Sequence, residues 1–137
     1  EILKEYFPKK RFIDLDLKKN DKNPYEGILH LDCTFNPIGK DKCIIYKNGF
    51  VDESDYQLII DVFGEENCFH VTDEEMFEMN PNVFSISENV VVSDKACVRM
   101  DNFLRNEWGM TVEEIQYREI SKMGGLLRCS TMPLVRE

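Results

Sequence analysis

The sequence predicts an α/β fold in which one strand–strand–helix–strand unit, called a module below, occurs twice. The prediction depends on two amphipathic helices, each of which ends at a glycine. Each helix follows a pair of strand-like runs and precedes a further strand. The units repeat with a period of about 45 to 55 residues, in the range of modular arrays and propellers.

The two helices are predicted from the segments 52–64 and 93–109, which end at Gly64 and Gly109. In "DESDYQLIIDVFG" the apolar residues follow the i, i+3, i+4, i+7 spacing of one helix face: Tyr56, Ile59, Ile60 and Phe63. In "SDKACVRMDNFLRNEWG" the corresponding stripe contains Cys97, Met100, Phe103, Leu104 and Trp108. The two glycines therefore mark the two copies of the module.

The strands are predicted from alternation and from residues that favour β structure. The first module has "GILHLDCTF" (27–35) and "KCIIY" (42–46) before its helix, and "NCFHV" (67–71) after it. The second module has "NVFSI" (82–86) and "NVVVS" (89–93), joined by a hairpin turn at Ser87-Glu88, and then "TVEEIQY" (111–117).

The flanking segments look like pieces of further modules. "EILKEYF" and "RFIDLDL" (1–17) predict a helix followed by a strand, and "GLLRCSTMPLV" (125–135) predicts an opening strand. The polar segment 18–27 predicts a surface loop. Because the chain starts without a methionine, we expect residues 1–137 to be part of a longer protein.

The composition excludes several function classes. Hydrophobic residues make up 42% of the chain and charged residues 31%, as in ordinary globular domains. The net charge of −9 opposes binding to nucleic acid. No apolar run approaches the ~20 residues that span a bilayer, and no signal peptide is recognisable. We therefore expect neither a nucleic-acid nor a membrane partner.

Five cysteines occur, at positions 33, 43, 68, 97 and 129, and none forms a C-x-x-C pair. An odd number without such pairs is typical of reduced thiols, so we expect a cytoplasmic protein without disulfides. "MGGLLRCSTMPLVRE" (123–137) places Cys129 after two glycines and beside Arg128. This setting suits a reactive thiol, although free cysteines are most often buried and inert.

A second candidate group lies in the predicted strand 27–35. In a strand, alternation places His30 and Asp32 on one side, together with Ile28 and Thr34. The opposite side is apolar and is predicted to face the core: Leu29, Leu31, Cys33 and Phe35. An imidazole beside a carboxylate, in a chain with an activated thiol, suits nucleophilic catalysis. A merely solvated strand face is the alternative.

A zinc site remains a further alternative, with His30, Cys33, His70 and Cys129 as its ligands. The closely paired spacings that are typical of zinc ligands are missing, so we expect no metal and no other cofactor. His70 lies in an apolar strand just before a helix start at "TDEEM", and it is predicted to be structural.

"LHLDCTFNPIG" (29–39) and "MGGLLRCSTMPLVRE" (123–137) together resemble motifs of the guanidino-modifying enzymes, the pentein superfamily. The first segment is similar to a run in glycine amidinotransferase, and the second is similar to the cysteine motif of arginine deiminase. "NVFSISENVVVSD" (82–94) also fits a family pattern, so the resemblance covers roughly residues 27–137. The superfamily also includes dimethylarginine dimethylaminohydrolase.

The resemblance implies a propeller of about five ββαβ modules around a central site, of which this chain supplies the C-terminal half. It implies that Cys129 is the nucleophile and His30 the proton carrier, while Asp32 binds the guanidinium group. Arg128, beside the nucleophile, would either orient a substrate carboxylate or support the thiolate, and a plain surface arginine is the alternative. It also implies upstream carboxylates that this chain lacks. We therefore expect the isolated chain to be inactive and to self-associate or to pair with the rest of the propeller.

The favoured function is hydrolysis of a guanidino C–N bond in an arginine-like small molecule, through a covalent cysteine intermediate. Transfer of the amidino group to an amine is the first alternative. A cysteine peptidase uses the same two residue types, but no peptidase motif surrounds Cys129. A module that binds a ligand or a partner without catalysis is the remaining alternative.

Overall fold

Both predicted modules are present in the structure, a computed structural model that describes residues 2–23, 26–132 and 134. The first module contains β1 (Phe35–Ile38), β2 (Lys42–Ile45), α2 (Glu53–Phe63) and β3 (Cys68–His70), and α1 (Ile2–Tyr6) precedes it. After α3 (Asp73–Phe77), the second module contains β4 (Phe84–Ser85), β5 (Val90–Asp94), α4 (Val98–Asn106) and β6 (Thr111–Ile115). None of the helices in these ranges is long and apolar enough to cross a membrane.

The two sheets have the same topology. β1 pairs antiparallel with β2, and β2 pairs parallel with β3. β4 likewise pairs antiparallel with β5, and β5 pairs parallel with β6. Each helix is the crossover that the parallel pair requires. The predicted order of elements is therefore confirmed in both modules, including the hairpin at residues 87–88.

One core is shared by the two modules. In β2, Ile44 faces the shared core, whereas Cys43 and Ile45 face a second cluster that packs against α2. The shared core takes its members from both sheets and from α4, among them Phe69, Val83, Val91, Met100 and Leu104. The predicted stripe of α2 lies in the second cluster, with Ile59 and Ile60 buried. Burial on both faces explains why β2 reads as a continuous apolar run.

The helix ends are close to their predicted positions, with one difference. Gly64 (φ +82°) ends α2, and its backbone N–H donates to the Ile60 carbonyl at 2.8 Å. α4 begins at Val98 and not at residue 93, because Ser93 and Asp94 still belong to β5, where they pair with β6.

The prediction of a strand over 27–35 is wrong, since it shares only Phe35, the first residue of β1, with the observed strand. A 3-10 helix occupies residues 31–33, where the Cys33 N–H donates to the His30 carbonyl at 3.1 Å. Leu29, predicted for the core, is 52% exposed, and Thr34, predicted for the polar face, is fully buried. Backbone hydrogen bonds within a local turn thus take the place of the strand pairing that the alternation predicted.

The flanks are predicted less well than the modules. α1 confirms the first helix within the described residues, and Glu1 lies outside them. The strand predicted over 11–17 is wrong; in the described chain this segment makes one isolated bridge, between Leu17 and Phe50. The strand predicted over 125–135 is also wrong in its described part, which forms a turn at residues 127–130. Pro133 and Val135 lie outside the described residues.

Candidate active site

Cys129 lies on an exposed turn, and the hydrogen bonds of that turn fix its position. The Ser130 N–H donates to the Leu127 carbonyl at 3.2 Å. The Ser130 hydroxyl donates to the Leu126 carbonyl at 2.7 Å, and the Thr131 hydroxyl donates to Leu127 at 2.9 Å. Of the five cysteines, Cys129 is the exposed one and the other four are buried.

The backbone conformation before this turn requires glycine at positions 124 and 125, and the thiol adds a second requirement at position 125. Gly124 and Gly125 have φ angles of +81° and +96°, in the region that side chains disfavour. A Cβ atom on Gly125 would lie 2.8 Å from the Cβ of Cys129 and 2.9 Å from its Sγ. Gly125 therefore leaves the space that the thiol occupies.

A half-buried arginine anchors the segment that leads into these glycines. Arg118 lies at the start of a 3-10 helix (Arg118–Met123), and its Nε donates to the Asp94 carboxylate at 3.2 Å. Burial alone would raise the pKa of Asp94, but the N–H groups of Ala96 and Tyr117, together with Arg118, hold it below its ordinary value. Asp94 thus remains a charged partner for Arg118.

The structure brings three of the predicted site residues together. Cys129 Sγ lies 3.6 Å from His30 Nδ1, and 3.7 and 3.9 Å from the two carboxylate oxygens of Asp32. His30 is exposed and Asp32 is half-buried, so the group is open to a ligand. A thiol beside an imidazole can lose its proton to that imidazole, and a carboxylate beside both can bind a cation. The roles of these residues remain predictions.

Cys33 completes a group of four that is called the thiol cluster here: His30, Asp32, Cys33 and Cys129. One ligand atom from each lies within 4.8 Å of the others, so the cluster has the atoms to hold a metal ion. Burial raises the pKa of Cys33 to about 12, which keeps its thiol protonated.

His70, the fourth ligand of the zinc alternative, lies elsewhere. Its Nε2 is 2.9 Å from Glu65, and its ring is 6.1 Å from that of Tyr56. The ligand set predicted from sequence is therefore not assembled, and Asp32 lies with His30, Cys33 and Cys129 instead. A supporting role in β3 suits His70 better.

A cleft of about 400 Å³ opens beside the thiol cluster. Its lining combines apolar and charged groups: His30, Leu31, Asp32, Phe35, Asn36, Pro37 and Arg128. Arg128 is half-buried, and its guanidinium donates to the Thr131 carbonyl at 3.5 Å. All four predicted site residues thus lie in or beside one cleft.

Sequence reasoning missed Asn82, a fully buried side chain in contact with the cluster. Its amide nitrogen lies 3.2 Å from Cys129 Sγ and 3.2 Å from the Asp32 carbonyl. The available signal was the position of Asn82 at the start of "NVFSI", the segment that fits a family pattern.

The family model described as "Arginine deiminase" matches residues 48–136, a range that contains Cys129 but neither His30 nor Asp32. The uncharacterized protein YkgA of Bacillus subtilis (strain 168) is 32% identical over 112 residues. That match covers 82% of this chain, which spans only 37% of the length of YkgA.

Solved structures share the fold. The product-bound N-terminal domain of ArgZ, an arginine dihydrolase from cyanobacteria, aligns with a TM-score of 0.82 at 18% identity, over 98% of this chain and 46% of that one. SxtG, an amidinotransferase from Microseira wollei, aligns with a TM-score of 0.71 at 17% identity, over 99% of this chain and 38% of that one. The mixed α/β fold with two small sheets is therefore similar to that of the ArgZ N-terminal domain.

Proposed function

Because the chain belongs to the arginine deiminase family, within the pentein superfamily of guanidino-modifying enzymes, we propose that it contributes to hydrolysis of a guanidino C–N bond. The proposed substrate is arginine or an arginine derivative. The convergence of Cys129 Sγ with His30 Nδ1 at 3.6 Å and the Asp32 carboxylate at 3.7 Å carries the proposal. A thiolate is a suitable nucleophile for a guanidinium carbon, which resonance makes a poor electrophile.

In the first step, the Asp32 carboxylate accepts N–H bonds from the guanidinium group and holds its carbon against Cys129. The Cys129 sulfur forms a bond to that carbon. One C–N bond then breaks, and the departing nitrogen takes a proton from His30 and leaves as ammonia or an amine.

In the second step, His30 accepts a proton from a water molecule, which attacks the same carbon. The C–S bond breaks and Cys129 is released as a thiolate. Guanidinium and water are thereby converted into a ureido product and ammonium. The exposure of His30 gives water a direct path to the intermediate.

Arg128, which lines the same cleft, is proposed to orient the substrate. A guanidinium in a cleft that also contains the Asp32 carboxylate suits a ligand with charges of both signs. A carboxylate at the far end of an arginine-like molecule meets this condition.

Known relatives support a covalent route. One ArgZ N-terminal domain structure is described as covalently bound to a reaction intermediate, with a TM-score of 0.82 to this chain. AgrE has been solved with L-arginine in a mutant that replaces a cysteine by alanine. These statements concern those proteins, and they motivate the role proposed here for Cys129.

Amidino transfer to an amine is the second candidate. It uses the same sulfur intermediate, but an amine replaces water in the second step. The similarity to SxtG and the segment "TFNPIG" (34–39) favour it. The residues around the nucleophile resemble deiminases, so hydrolysis is preferred.

We also propose that residues 1–137 form the C-terminal part of one propeller domain that contains about five modules. The two equivalent modules and the 46% coverage of the ArgZ domain support this proposal. The isolated chain is then inactive, because further carboxylates of the site come from other modules. It is also inclined to associate, because the edges of its modules lack their neighbours. The free thiols of Cys43 and Cys68, whose sulfurs are 3.4 Å apart, suit a cytoplasmic location.

Product analysis of the full-length protein tests the reaction. Incubation with arginine should release ammonia and a ureido product at a rate that added glycine does not change. Product that forms only with an acceptor amine would favour transfer. Cys129→Ser should abolish turnover, whereas Cys68→Ser should preserve it, because the buried Cys68 sulfur contacts Cys43 and the Gly64 carbonyl and not the thiol cluster. Retained turnover in Cys129→Ser would contradict the assignment of the nucleophile. Absence of turnover in the wild type would contradict the proposed reaction and favour a binding module.

A further inference from the structure

The carboxamide of Asn82 lies between the His30–Asp32 segment and the Cys129 turn. Its Oδ1 accepts the backbone N–H of Leu126 at 2.8 Å and that of Cys129 at 3.1 Å. Its Nδ2 lies 3.2 Å from Cys129 Sγ and 3.2 Å from the Asp32 carbonyl. These contacts use both donors and both acceptor positions of the amide.

The orientation of this amide follows from its partners. Backbone N–H groups can only donate, so the atom that faces Leu126 and Cys129 must be the oxygen. The NH₂ group therefore faces the thiol and the Asp32 carbonyl. A flipped amide would place its NH₂ against two N–H groups and its oxygen against a carbonyl, in a fully buried position.

We propose that Asn82 is a catalytic residue that donates a hydrogen bond to the sulfur of Cys129 and holds the thiolate towards the cleft. This inference rests on the proposed function, because it assigns a partner to the nucleophile of that reaction. A hydrogen bond from an N–H group stabilises a thiolate more than a thiol. The amide is neutral, so it adds this stabilisation without repelling a cationic substrate bound by Asp32.

Arg128 does not fill this role in the structure. Although it is adjacent to Cys129 in sequence, the hydrogen bond found for its guanidinium among the described residues goes to the Thr131 carbonyl at 3.5 Å. The neutral Asn82 amide, and not the neighbouring cation, donates to the sulfur at 3.2 Å, beside His30 Nδ1 at 3.6 Å.

A second asparagine makes the first one rigid. Asn36, in β1 of the first module, is 5% exposed. Its Nδ2 donates to the carbonyls of Pro81 and Val83 at 2.7 and 2.9 Å, on either side of Asn82. The backbone of residue 82 also binds the turn, since its carbonyl accepts the Arg128 N–H at 3.1 Å. The donor to Cys129 is thus fixed before any ligand arrives, as preorganised catalysis requires.

The pH dependence of Cys129 alkylation tests the proposal. Asn82→Asp keeps the size of the side chain and an oxygen for the two backbone N–H groups, but replaces the donor at the sulfur by a negative oxygen. We expect the pH midpoint of Cys129 alkylation by iodoacetamide to rise by about one unit or more, and the rate at pH 7 to fall about tenfold.

Asn80→Asp is the matched control. Asn80 is 4% exposed, and its side-chain oxygen accepts from Arg118 at 3.3 Å, away from the thiol. The same exchange of amide for carboxylate should leave the alkylation midpoint of Cys129 in place. An equal shift in both variants would overturn the proposal, because it would indicate a general effect of added negative charge.

A measurement on the wild type does not depend on whether Asn82→Asp folds. In ¹⁵N–¹H spectra, the side-chain amide of Asn82 should shift with pH at the midpoint of Cys129 alkylation, and this shift should disappear in Cys129→Ser. An amide that does not respond would overturn the role of Asn82. A wild-type Cys129 that reacts no faster than the buried thiols would instead contradict the proposed function, so the two failures are distinguishable.

Discussion

Replacement of Gly125 by alanine tests whether the glycine before the turn is required by the thiol itself. The added Cβ would lie 2.9 Å from Cys129 Sγ. Because non-bonded heavy atoms settle at about 3.5–4 Å, the thiol must move by roughly 1 Å or the turn must distort. Either change separates the sulfur from His30 Nδ1, which now lies 3.6 Å away.

The expected size of the effect has two parts. A displacement of about 1 Å at a reacting group costs about 100-fold in rate. Placing a side chain at φ +96° adds backbone strain of roughly 1–2 kcal/mol, which lowers the melting temperature by several degrees. Turnover of arginine by the full-length protein and thermal unfolding measure the two parts separately.

Gly109→Ala is the control that separates strain from collision. Gly109 has φ +63°, and no described atom lies within 4 Å of the position of its Cβ. This variant should show a similar loss of stability with wild-type turnover. The reasoning is refuted if Gly125→Ala turns over at the wild-type rate, or if both variants lose activity to the same extent.

Three further predictions concern the thiols and a buried acid. Iodoacetamide at neutral pH should modify Cys129 first, since the other four thiols are buried and burial raises the pKa of Cys97 to about 11. Mass spectrometry identifies the modified residue, and modification of Cys97 first would contradict this prediction. Zn²⁺ should slow that modification, because the ligand atoms of the thiol cluster lie within 4.8 Å of one another, and an unchanged rate would exclude metal binding there. Asp101 is 1% exposed, its carboxyl oxygens have no hydrogen-bond partner among the described residues, and burial raises its pKa from 3.8 to about 6. Because its pKa is raised, the folded state loses stability as the pH rises from 3.8 to about 6. Asp101→Asn should therefore stabilise the protein at pH 7 by up to about 3 kcal/mol and have little effect below pH 3.8. Denaturant unfolding at both pH values measures this difference in the free energy of unfolding.

The modules could be predicted from sequence because their signals are local. The apolar stripe of α2 and the continuous apolar run of β2 follow from neighbours within a few residues. The segment 27–35 shows the same alternation, yet its backbone donors bind within a 3-10 turn. Alternation reports side-chain polarity, and it does not report where the backbone hydrogen bonds go.

The site could be predicted only in part. Residue type and family resemblance predict His30, Asp32 and Cys129 as candidates, and these three side chains do lie together. The predicted strand face for the first two is wrong, because residues 31–33 form a 3-10 helix. Asn82 was missed because its partners are 44 to 50 residues away in the chain. A buried asparagine has no local periodic signal, so apart from the family pattern at residue 82 only its contacts in the folded chain identify it.

The thiol cluster joins residues 30–33 to Cys129, and this long separation along the chain has a consequence for folding. His30 and Cys129 are 99 positions apart, whereas the hairpin of β1 and β2 pairs residues as close as Ile38 and Lys42. Closing a long loop carries an entropic cost that short-range pairing does not, so contacts within modules are expected to form first. The Cys129 turn is then expected to dock after the two sheets have formed, and its amides should exchange with solvent sooner than those of β5. During synthesis the sulfur therefore stays without its imidazole until both sheets exist, which postpones its chemistry until the surrounding fold is complete.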